Sequence, residues 1–301
     1  MAKRLLEAVA SDFRAMDGAD LAESIRLAEG RTLSAEVIAS AEPPVDGISG
    51  GELAAAMGAD IIALDQYDPF APRIAGVEAE FMDDRPLAQY GLLLGCPVAI
   101  NLIVAEPERA PGLGGRLFSR ESLDAAVTQG ANLIFLYARP RQGGTATMQA
   151  EAARLIATAH PRAAMVVGVP SFSKPPPRDE ASFESHRQEI LALLDAGCHG
   201  VGMPMPGSKQ GWQAEQAAAL IDVAQARGGL TWLFVTGSVE GAPPSVMHDL
   251  ALLGKQLGAD AFRLDEAGLS GMPNPENIFA FSMALRGARH TYRRMASSIR
   301  R

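Results

Sequence analysis

The sequence predicts an α/β fold, a (βα)8 barrel with an N-terminal helical extension. One observation is a glycine that ends a helical pattern just before an apolar run. It recurs at Gly58, Gly130, Gly197 and Gly258, with spacings of 72, 67 and 61 residues. Glycine suits a helix end because it enters the left-handed backbone region at no steric cost.

The other observation is a second set of apolar segments, whose starts lie 64 to 67 residues apart. These are residues 33–40, 97–104, 163–172 and 230–237. Interleaving the two sets gives eight strands that alternate with helices, which is the pattern of a closed parallel barrel. Runs such as IIAL and MVVGV are apolar on both faces, as expected for strands that lie beneath helices.

One domain is predicted for the 301 residues, because no linker or change in composition divides the chain. Residues 1–30 are predicted to form N-terminal helices, residues 31–285 the barrel, and residues 286–301 a C-terminal helix and tail. The proline-rich loop after the fifth strand, SFSKPPPRDEASFES, is interpreted as a lid over a site or as a spacer to a neighbouring subunit.

Composition excludes several classes of function. The net charge of −8 disfavours nucleic acid as a partner, and no apolar run is long enough to span a membrane. The basic residues between Arg286 and Arg301 are expected to form a solvated surface or a subunit contact, in a protein that we expect to be a homo-oligomer. The 2 cysteines have no metal-binding spacing, which favours the reducing cytoplasm.

Candidate catalytic residues follow from the rule that barrel enzymes place their sites at the carboxyl ends of the strands. Glu36, Asp65 and Asp265 end strands 1, 2 and 8, which are neighbours in a closed barrel. Alternation along the strands would point them inward together with Arg263. Such carboxylates suit acid/base catalysis, or Mg²⁺ or Mn²⁺ bound by Glu36 and Asp65. The alternative is an interior salt bridge of Arg263 with Glu36 and Asp265. No nucleotide cofactor is predicted.

Candidate substrate contacts lie on the same rim. Asn101 ends strand 3, and Arg139 follows strand 4 in a loop suited to a carboxylate or phosphate. The loops after strands 7 and 8 offer glycine amides and hydroxyls for a phosphate, and the residues proposed for it are Gly237, Ser238, Gly268, Ser270 and Gly271. Glu240 and Glu266 oppose this interpretation, and Asn274-Pro275 is also simply a good helix start.

Polar residues at the opposite ends of the strands are expected to be structural. They follow the four glycines and are Asp60, Asn132, His199 and Asp260. The segment VDGISGG at residues 45–51 either adds a polar part to the site or is a turn in which Ser49 caps a helix.

The chain resembles the broad phosphate-binding group of TIM-barrel proteins over residues 31–285. It is more closely similar to an uncharacterised bacterial TIM-barrel family that shares phrases of the types VDGISGGELAAAMGAD and DEAG…PEN. The broad resemblance implies a small phosphorylated substrate, often a sugar. The PEP mutase and isocitrate lyase superfamily is disfavoured, because its third strand is usually Asp-rich and PVAINLIV offers only Asn101.

The leading hypothesis is a lyase or isomerase that acts on a phosphorylated sugar or a small phospho-acid. It would remove a proton next to a carbonyl group, leading to isomerisation or carbon–carbon cleavage. One alternative is a glycosidase-type hydrolase that uses the same carboxylates. The other is a barrel that binds a metabolite without catalysis.

Overall fold

Eight parallel strands close into a barrel in the computed structural model, which describes residues 2–78, 84–172 and 174–301. Each strand pairs with the next along the chain, and the last pairs with the first. The strands are β1 (Thr32–Ile38), β2 (Ile61–Asp65), β3 (Val98–Val104), β4 (Leu133–Ala138), β5 (Met165–Val169), β6 (Gly200–Pro204), β7 (Leu230–Val235) and β8 (Ala261–Leu264). The predicted (βα)8 barrel is confirmed. Its predicted fifth loop contains residue 173, which lies outside the described residues.

Helices cover the outside of the barrel and one of its ends. Before the first strand lie α1 (Ala10–Ala15) and α2 (Gly18–Arg26). The others follow the strands in turn: α3 (Gly50–Ala56), α4 (Pro86–Leu94), α5 (Arg120–Gln129), α6 (Ala146–Ala159), α7 (Glu180–Asp195), α8 (Ala214–Ala226), α9 (Pro244–Gln256) and α10 (Pro275–Met295). No helix in the described ranges has the length and hydropathy of a membrane span.

Aromatic side chains fill the barrel interior. Because side chains alternate between the two faces of a strand, every second residue points inward. Phe135 on β4 meets Trp232 and Phe234 on β7 edge to face, with ring centroids 5.2 and 5.7 Å apart. Leu21 and Ile25 of α2 belong to the same buried cluster. The predicted N-terminal extension therefore closes the end of the barrel where the strands begin.

Four side chains at strand starts share one structural role. Each directly precedes an even-numbered strand and accepts a hydrogen bond from a backbone N–H at the start of the strand before it. The pairs are Asp60 with Leu33 at 2.9 Å, Asn132 with Val98 at 2.9 Å, His199 with Val166 at 3.1 Å, and Asp260 with Thr231 at 2.8 Å. These bonds satisfy buried backbone donors, which accounts for the fourfold recurrence of a polar residue after the glycine.

The start of α3 decides between the two interpretations of Ser49, as part of the site or as a helix cap. Its side-chain oxygen accepts from the backbone N–H of Glu52 at 3.3 Å, and the Glu52 carboxylate accepts from the Ser49 N–H at 2.8 Å. This reciprocal arrangement is a capping box. Ser49 is buried and caps the helix.

The last helix corrects the expectation for the basic C-terminal residues. α10 breaks at Gly287, whose φ is 74°. The preceding Arg286 is only 6 % exposed and bonds both carboxylate oxygens of Asp60. The prediction of a solvated or subunit-contact surface is therefore wrong for Arg286, because its charge is paired with a buried acid at the start of β2.

Candidate active site at the barrel mouth

Arg263 stands in the centre of the barrel, one layer below the rim. Side chains alternate along β8 and into the residue that follows it, so that Arg263 and Asp265 point inward while Leu264 packs against the helices. The side chain is only 1 % exposed. Its guanidinium carbon lies 4.6 Å from the ring centroid of Phe135 and 5.2 Å from that of Phe234. These rings stabilise the cation through its interaction with their π faces.

Three polar side chains surround the guanidinium. Nη2 donates to Oε1 of Glu36, and Nη1 donates to Oδ1 of Asn101 at 3.2 Å. Nε forms an ion pair with Oδ1 of Asp265 at 3.1 Å, although the N–H is not directed along a hydrogen bond. The interior salt bridge that the sequence left open as an alternative is therefore present.

Glu36 and Asp265 form a carboxyl pair against the guanidinium of Arg263. Burial raises the pKa of Glu36 well above its usual range, and the opposing charge of Arg263 offsets only part of this effect. Burial also raises the pKa of Asp265, and Arg263 again opposes the rise. The charge of Asp265 adds to the rise at Glu36, because two neighbouring carboxylates ionise together only at a cost in a buried site.

The positive charge at the centre is permanent. Burial alone would lower the pKa of Arg263, but the Glu36 and Asp265 carboxylates outweigh it and raise that pKa above its usual value. Arginine does not lose its proton in such surroundings.

Asn101 links the central cluster to Asp65 at the solvent edge. Its Nδ2 donates to Oδ1 of Asp65 at 2.8 Å and lies 3.4 Å from Oε1 of Glu36. Since its amide oxygen accepts from Arg263, both ends of the amide are fixed. β1 and β2 pair with Ile38 opposite Asp65, which places Asp65 nearer the rim than Glu36, whose pairing partner is Ala63. Asp65 is partly exposed.

Tyr137 is a site residue that the sequence reasoning did not select. It is the next-to-last residue of β4, two residues after Phe135, and its ring centroid lies 5.8 Å from the guanidinium carbon of Arg263. Burial raises the pKa of its phenol well above the usual value, with Arg263 opposing and Asp265 adding to the rise. The hydroxyl therefore stays protonated and can donate a hydrogen bond. The alternation of inward residues along strand 4 is the signal that could have identified it.

The carboxylates as arranged do not fit a divalent cation. Oε1 of Glu36 is engaged by Arg263, and its Oε2 lies 3.3 Å from the backbone nitrogen of Glu266. Oδ1 of Asp65 is engaged by Asn101. Within the part of the chain that the structure describes, no three His, Cys, Asp or Glu side chains are grouped as metal ligands. Of the two carboxylates predicted to bind Mg²⁺ or Mn²⁺, Glu36 therefore contacts the guanidinium of Arg263, and Asp65 contacts the amide of Asn101.

A cationic pocket of about 560 Å³ opens above strands 4 to 6, among the loops that follow them. Arg139, Arg141, Ser171 and Lys209 line it, together with apolar atoms of Phe172. Among the described residues, no carboxylate forms an ion pair with the side chains of Arg139, Arg141 or Lys209. The sequence indicated Arg139, but it did not show that Lys209 from the loop after β6 joins it.

The structure divides the residues predicted to bind phosphate into two groups. Gly237 and Ser238 both have left-handed backbone conformations, with φ of 72° and 81°. A β-carbon at Gly237 would lie 3.6 Å from the side chain of Lys209, so this turn lies next to the cationic pocket.

The group after β8 faces acidic residues instead. Gly268, Ser270 and Gly271 line a separate cleft of about 410 Å³ together with Glu42 and Glu266. The backbone N–H of Gly268 donates to Glu266 at 2.6 Å, which occupies one predicted phosphate donor with a carboxylate. Among the described residues that line this cleft with Ser270 and Gly271, none is an arginine or a lysine.

A family model described as a domain of unknown function, DUF7916, matches residues 6–301. The chain belongs to this family. A comparison with curated proteins gives no match.

Solved structures share the barrel fold at low sequence identity. The carboxyl transferase domain of Rhizobium etli pyruvate carboxylase, solved with pyruvate, is 12% identical with a TM-score of 0.53, over 96% of this chain and 53% of that one. Oxaloacetate acetylhydrolase is 14% identical with a TM-score of 0.52, over 84% and 82% of the two chains. A 2,3-dimethylmalate lyase is 14% identical with a TM-score of 0.50, over 85% and 81%.

The last of these structures is described as a member of the PEP mutase/isocitrate lyase superfamily, which the single Asn101 on strand 3 disfavours. This chain shares the barrel fold with that structure, because barrel architecture depends on the strand and helix pattern and not on acids at one strand end.

Proposed function

We propose that this protein is an enzyme of the lyase or isomerase type that acts on a small anionic substrate, a phospho-acid or a phosphorylated sugar. The observation that carries the proposal is the carboxyl pair of Glu36 and Asp265 beside Arg263, at the end of the barrel where such enzymes react. In this proposal the pair shares one proton and acts as the acid, and the more exposed carboxylate of Asp65 acts as the base.

The chemistry would be proton transfer next to a carbonyl group. Asp65 takes the proton from carbon, and the electron pair moves into the carbonyl to give an enolate. In isomerisation, the proton held between Glu36 and Asp265 is delivered through Asp265, whose side chain is 18% exposed, to the former carbonyl carbon, while the hydroxyl proton of the adjacent carbon moves to the former carbonyl oxygen. In cleavage, Asp65 takes the proton of a hydroxyl group on the β-carbon instead of a proton from carbon. That oxygen forms a new carbonyl as the carbon–carbon bond breaks, and the proton from Asp265 is added to the enolate that leaves.

The cationic pocket supports an anionic substrate. Arg139, Arg141 and Lys209 come from two loops and converge on one cavity. Arginine binds carboxylate or phosphate through paired N–H groups, and a lysine adds charge without a fixed direction. Gly237 and Ser238 border this pocket through Lys209, so a phosphate here would use part of the loop predicted for it.

The fold relatives are in line with this class of reaction. Oxaloacetate acetylhydrolase and 2,3-dimethylmalate lyase are named for small carboxylic acids, and both share the barrel. A divalent cation has no step in this proposal, since the carboxylates of this chain do not fit one. Assembly into a homo-oligomer stays a prediction.

A hydrogen–deuterium exchange screen tests the proposal without knowledge of the full reaction. The protein is incubated in D₂O with 2-oxo acids, phospho-acids and sugar phosphates, and loss of the proton signal next to the carbonyl is followed by NMR. We expect exchange with at least one anionic compound, and its loss in Asp65→Asn. Exchange that is the same in wild type, Asp65→Asn and Glu36→Gln would contradict the proposal.

A non-catalytic metabolite-binding barrel is the second candidate, because Arg263 neutralises the acids at the mouth. In that case an anionic compound raises the melting temperature but exchanges no proton. The glycosidase alternative has no support from Glu36 and Asp265, because both carboxylates contact the guanidinium of Arg263 instead of flanking an open space for a glycosidic bond.

A further inference from the structure

The mouth contains a positive charge of its own among its carboxylates. Glu36 and Asp265 both pair with the guanidinium of Arg263, and Asp65 is linked to that guanidinium through Asn101. Arg263 therefore offsets part of the negative charge that would otherwise attract a metal ion.

We infer that the guanidinium of Arg263 takes the place and the electrostatic role of a divalent cation in this barrel, so that the site binds no metal and works without one. The catalytic part of this inference rests on the proposed function, whereas the absence of metal binding does not.

The directions of the ligand atoms support the inference. The oxygens that would bind a cation point at the guanidinium: Oε1 of Glu36 accepts from Nη2, and Oδ1 of Asn101 lies 3.2 Å from Nη1. Oδ1 of Asp265 lies 3.1 Å from Nε. One planar group thus contacts the same kind of oxygen donors that would surround Mg²⁺.

Arg263 cannot readily leave this position. Its side chain is 1 % exposed and packs against the rings of Phe135 and Phe234 at 4.6 and 5.2 Å. A divalent cation entering beside it would meet a like charge in a buried site, where the repulsion is several times stronger than in water. Displacing Arg263 would also leave a buried guanidinium without partners.

The experiment measures metal binding on wild type and on Arg263→Met, which removes the charge and keeps most of the length. After dialysis against EDTA, thermal unfolding is followed with and without millimolar MnCl₂ or MgCl₂, and free Mn²⁺ is measured by EPR. We expect wild type to bind no Mn²⁺ and to shift by less than about 1 °C. Arg263→Met exposes the carboxylates, so we expect Mn²⁺ to raise its melting temperature by about 3 °C or more.

Two further variants test whether the Mn²⁺ shift of Arg263→Met comes from the carboxylates at the barrel mouth. Adding Glu36→Gln to Arg263→Met is expected to abolish the Mn²⁺ shift, while Arg263→Lys, which keeps the charge, is expected to show none. Micromolar binding of Mn²⁺ to wild type that is lost in Asp65→Asn would overturn the inference, and this measurement does not depend on the folding of any Arg263 variant.

The same experiments separate failure of the inference from failure of the proposed function. Proton exchange that appears only with added Mg²⁺ or Mn²⁺ overturns the inference and leaves the proposed reaction in place. Absence of exchange with or without metal, together with no Mn²⁺ binding, overturns the proposed reaction and supports Arg263 as the resident cation.

Discussion

Nη1 of Arg286 lies 2.7 and 2.6 Å from the two carboxylate oxygens of Asp60. Nη2 of the same arginine donates to the backbone oxygen of Gly58, and Asp60 also accepts from the N–H of Leu33 at 2.9 Å. This buried pair connects the last helix to the starts of the first two strands, where the barrel closes.

Removal of this arginine should strongly destabilise the fold. Arg286→Ala leaves the Asp60 carboxylate buried and unpaired, and we expect a loss of about 3–5 kcal/mol in the free energy of unfolding. Urea denaturation measures this loss. Arg289→Ala is a matched control on the exposed side of the same helix, and its effect should stay within about 0.5 kcal/mol. Equal effects of the two changes would contradict the role given to the pair.

The stability of the barrel should depend on the protonation of His199. Burial lowers the pKa of His199, against a smaller opposing effect of Asp17, and its Nδ1 must be unprotonated to accept from Val166. The folded state therefore binds fewer protons than the unfolded state. The contribution of neutral His199 to the free energy of unfolding is fully present above about pH 6.5, the pKa of an unfolded histidine. It is lost as the pH falls below that value and through the lower pKa of His199 in the folded state.

His199→Asn provides the comparison for this prediction, because Asn132 makes the equivalent bond with its amide oxygen at 2.9 Å. The variant keeps an acceptor that does not titrate. Urea unfolding between pH 5 and pH 8 should show that wild type loses more stability than the variant on acidification. Parallel pH profiles of the two proteins would refute the assignment.

Asp65→Asn should separate activity from stability. The change keeps the shape of the side chain and an oxygen for the bond from Asn101, but it removes the proposed base. We expect proton exchange to slow by about 10²–10⁴-fold while the free energy of unfolding changes by less than about 1 kcal/mol. NMR exchange rates and urea denaturation on the same preparation provide the two numbers.

Loss of cations from the pocket should weaken binding of anionic ligands. Arg139→Ala and Lys209→Ala each remove a charged donor, and we expect about a tenfold or greater rise in the dissociation constant of a compound found in the exchange screen. Arg154→Ala removes an equal charge from the exposed face of α6 and serves as the control. An equal loss of affinity in the control would assign the effect to overall charge.

The barrel was predictable because strand starts and helix ends carry local signals. The apolar runs and the glycines at 58, 130, 197 and 258 fixed the number and order of the strands. Alternation along a strand then brought Glu36, Arg263 and Asp265 together, since the first and last strands must be neighbours.

Other parts of the site depend on geometry that no local pattern encodes. Lys209 reaches the pocket of Arg139 through the course of the loop after β6, and loop conformation follows from packing over the whole rim. Arg286 turns inward because α10 breaks at Gly287, and its partner Asp60 lies 226 residues earlier. The proposal that a guanidinium takes the place of a metal depends on side-chain directions, which residue spacing does not specify.

The N-terminal helices have a consequence for the order of folding. Leu21 and Ile25 lie in the same buried cluster as Leu230 and Trp232 of the seventh strand, and Nη2 of Arg26 donates to the backbone oxygen of Gly228, 202 residues away. Contacts between such distant parts of the chain form slowly, because a long loop must close first. During synthesis the earliest helices would therefore present an apolar face to water until most of the barrel has emerged, which makes this segment a candidate for chaperone contact.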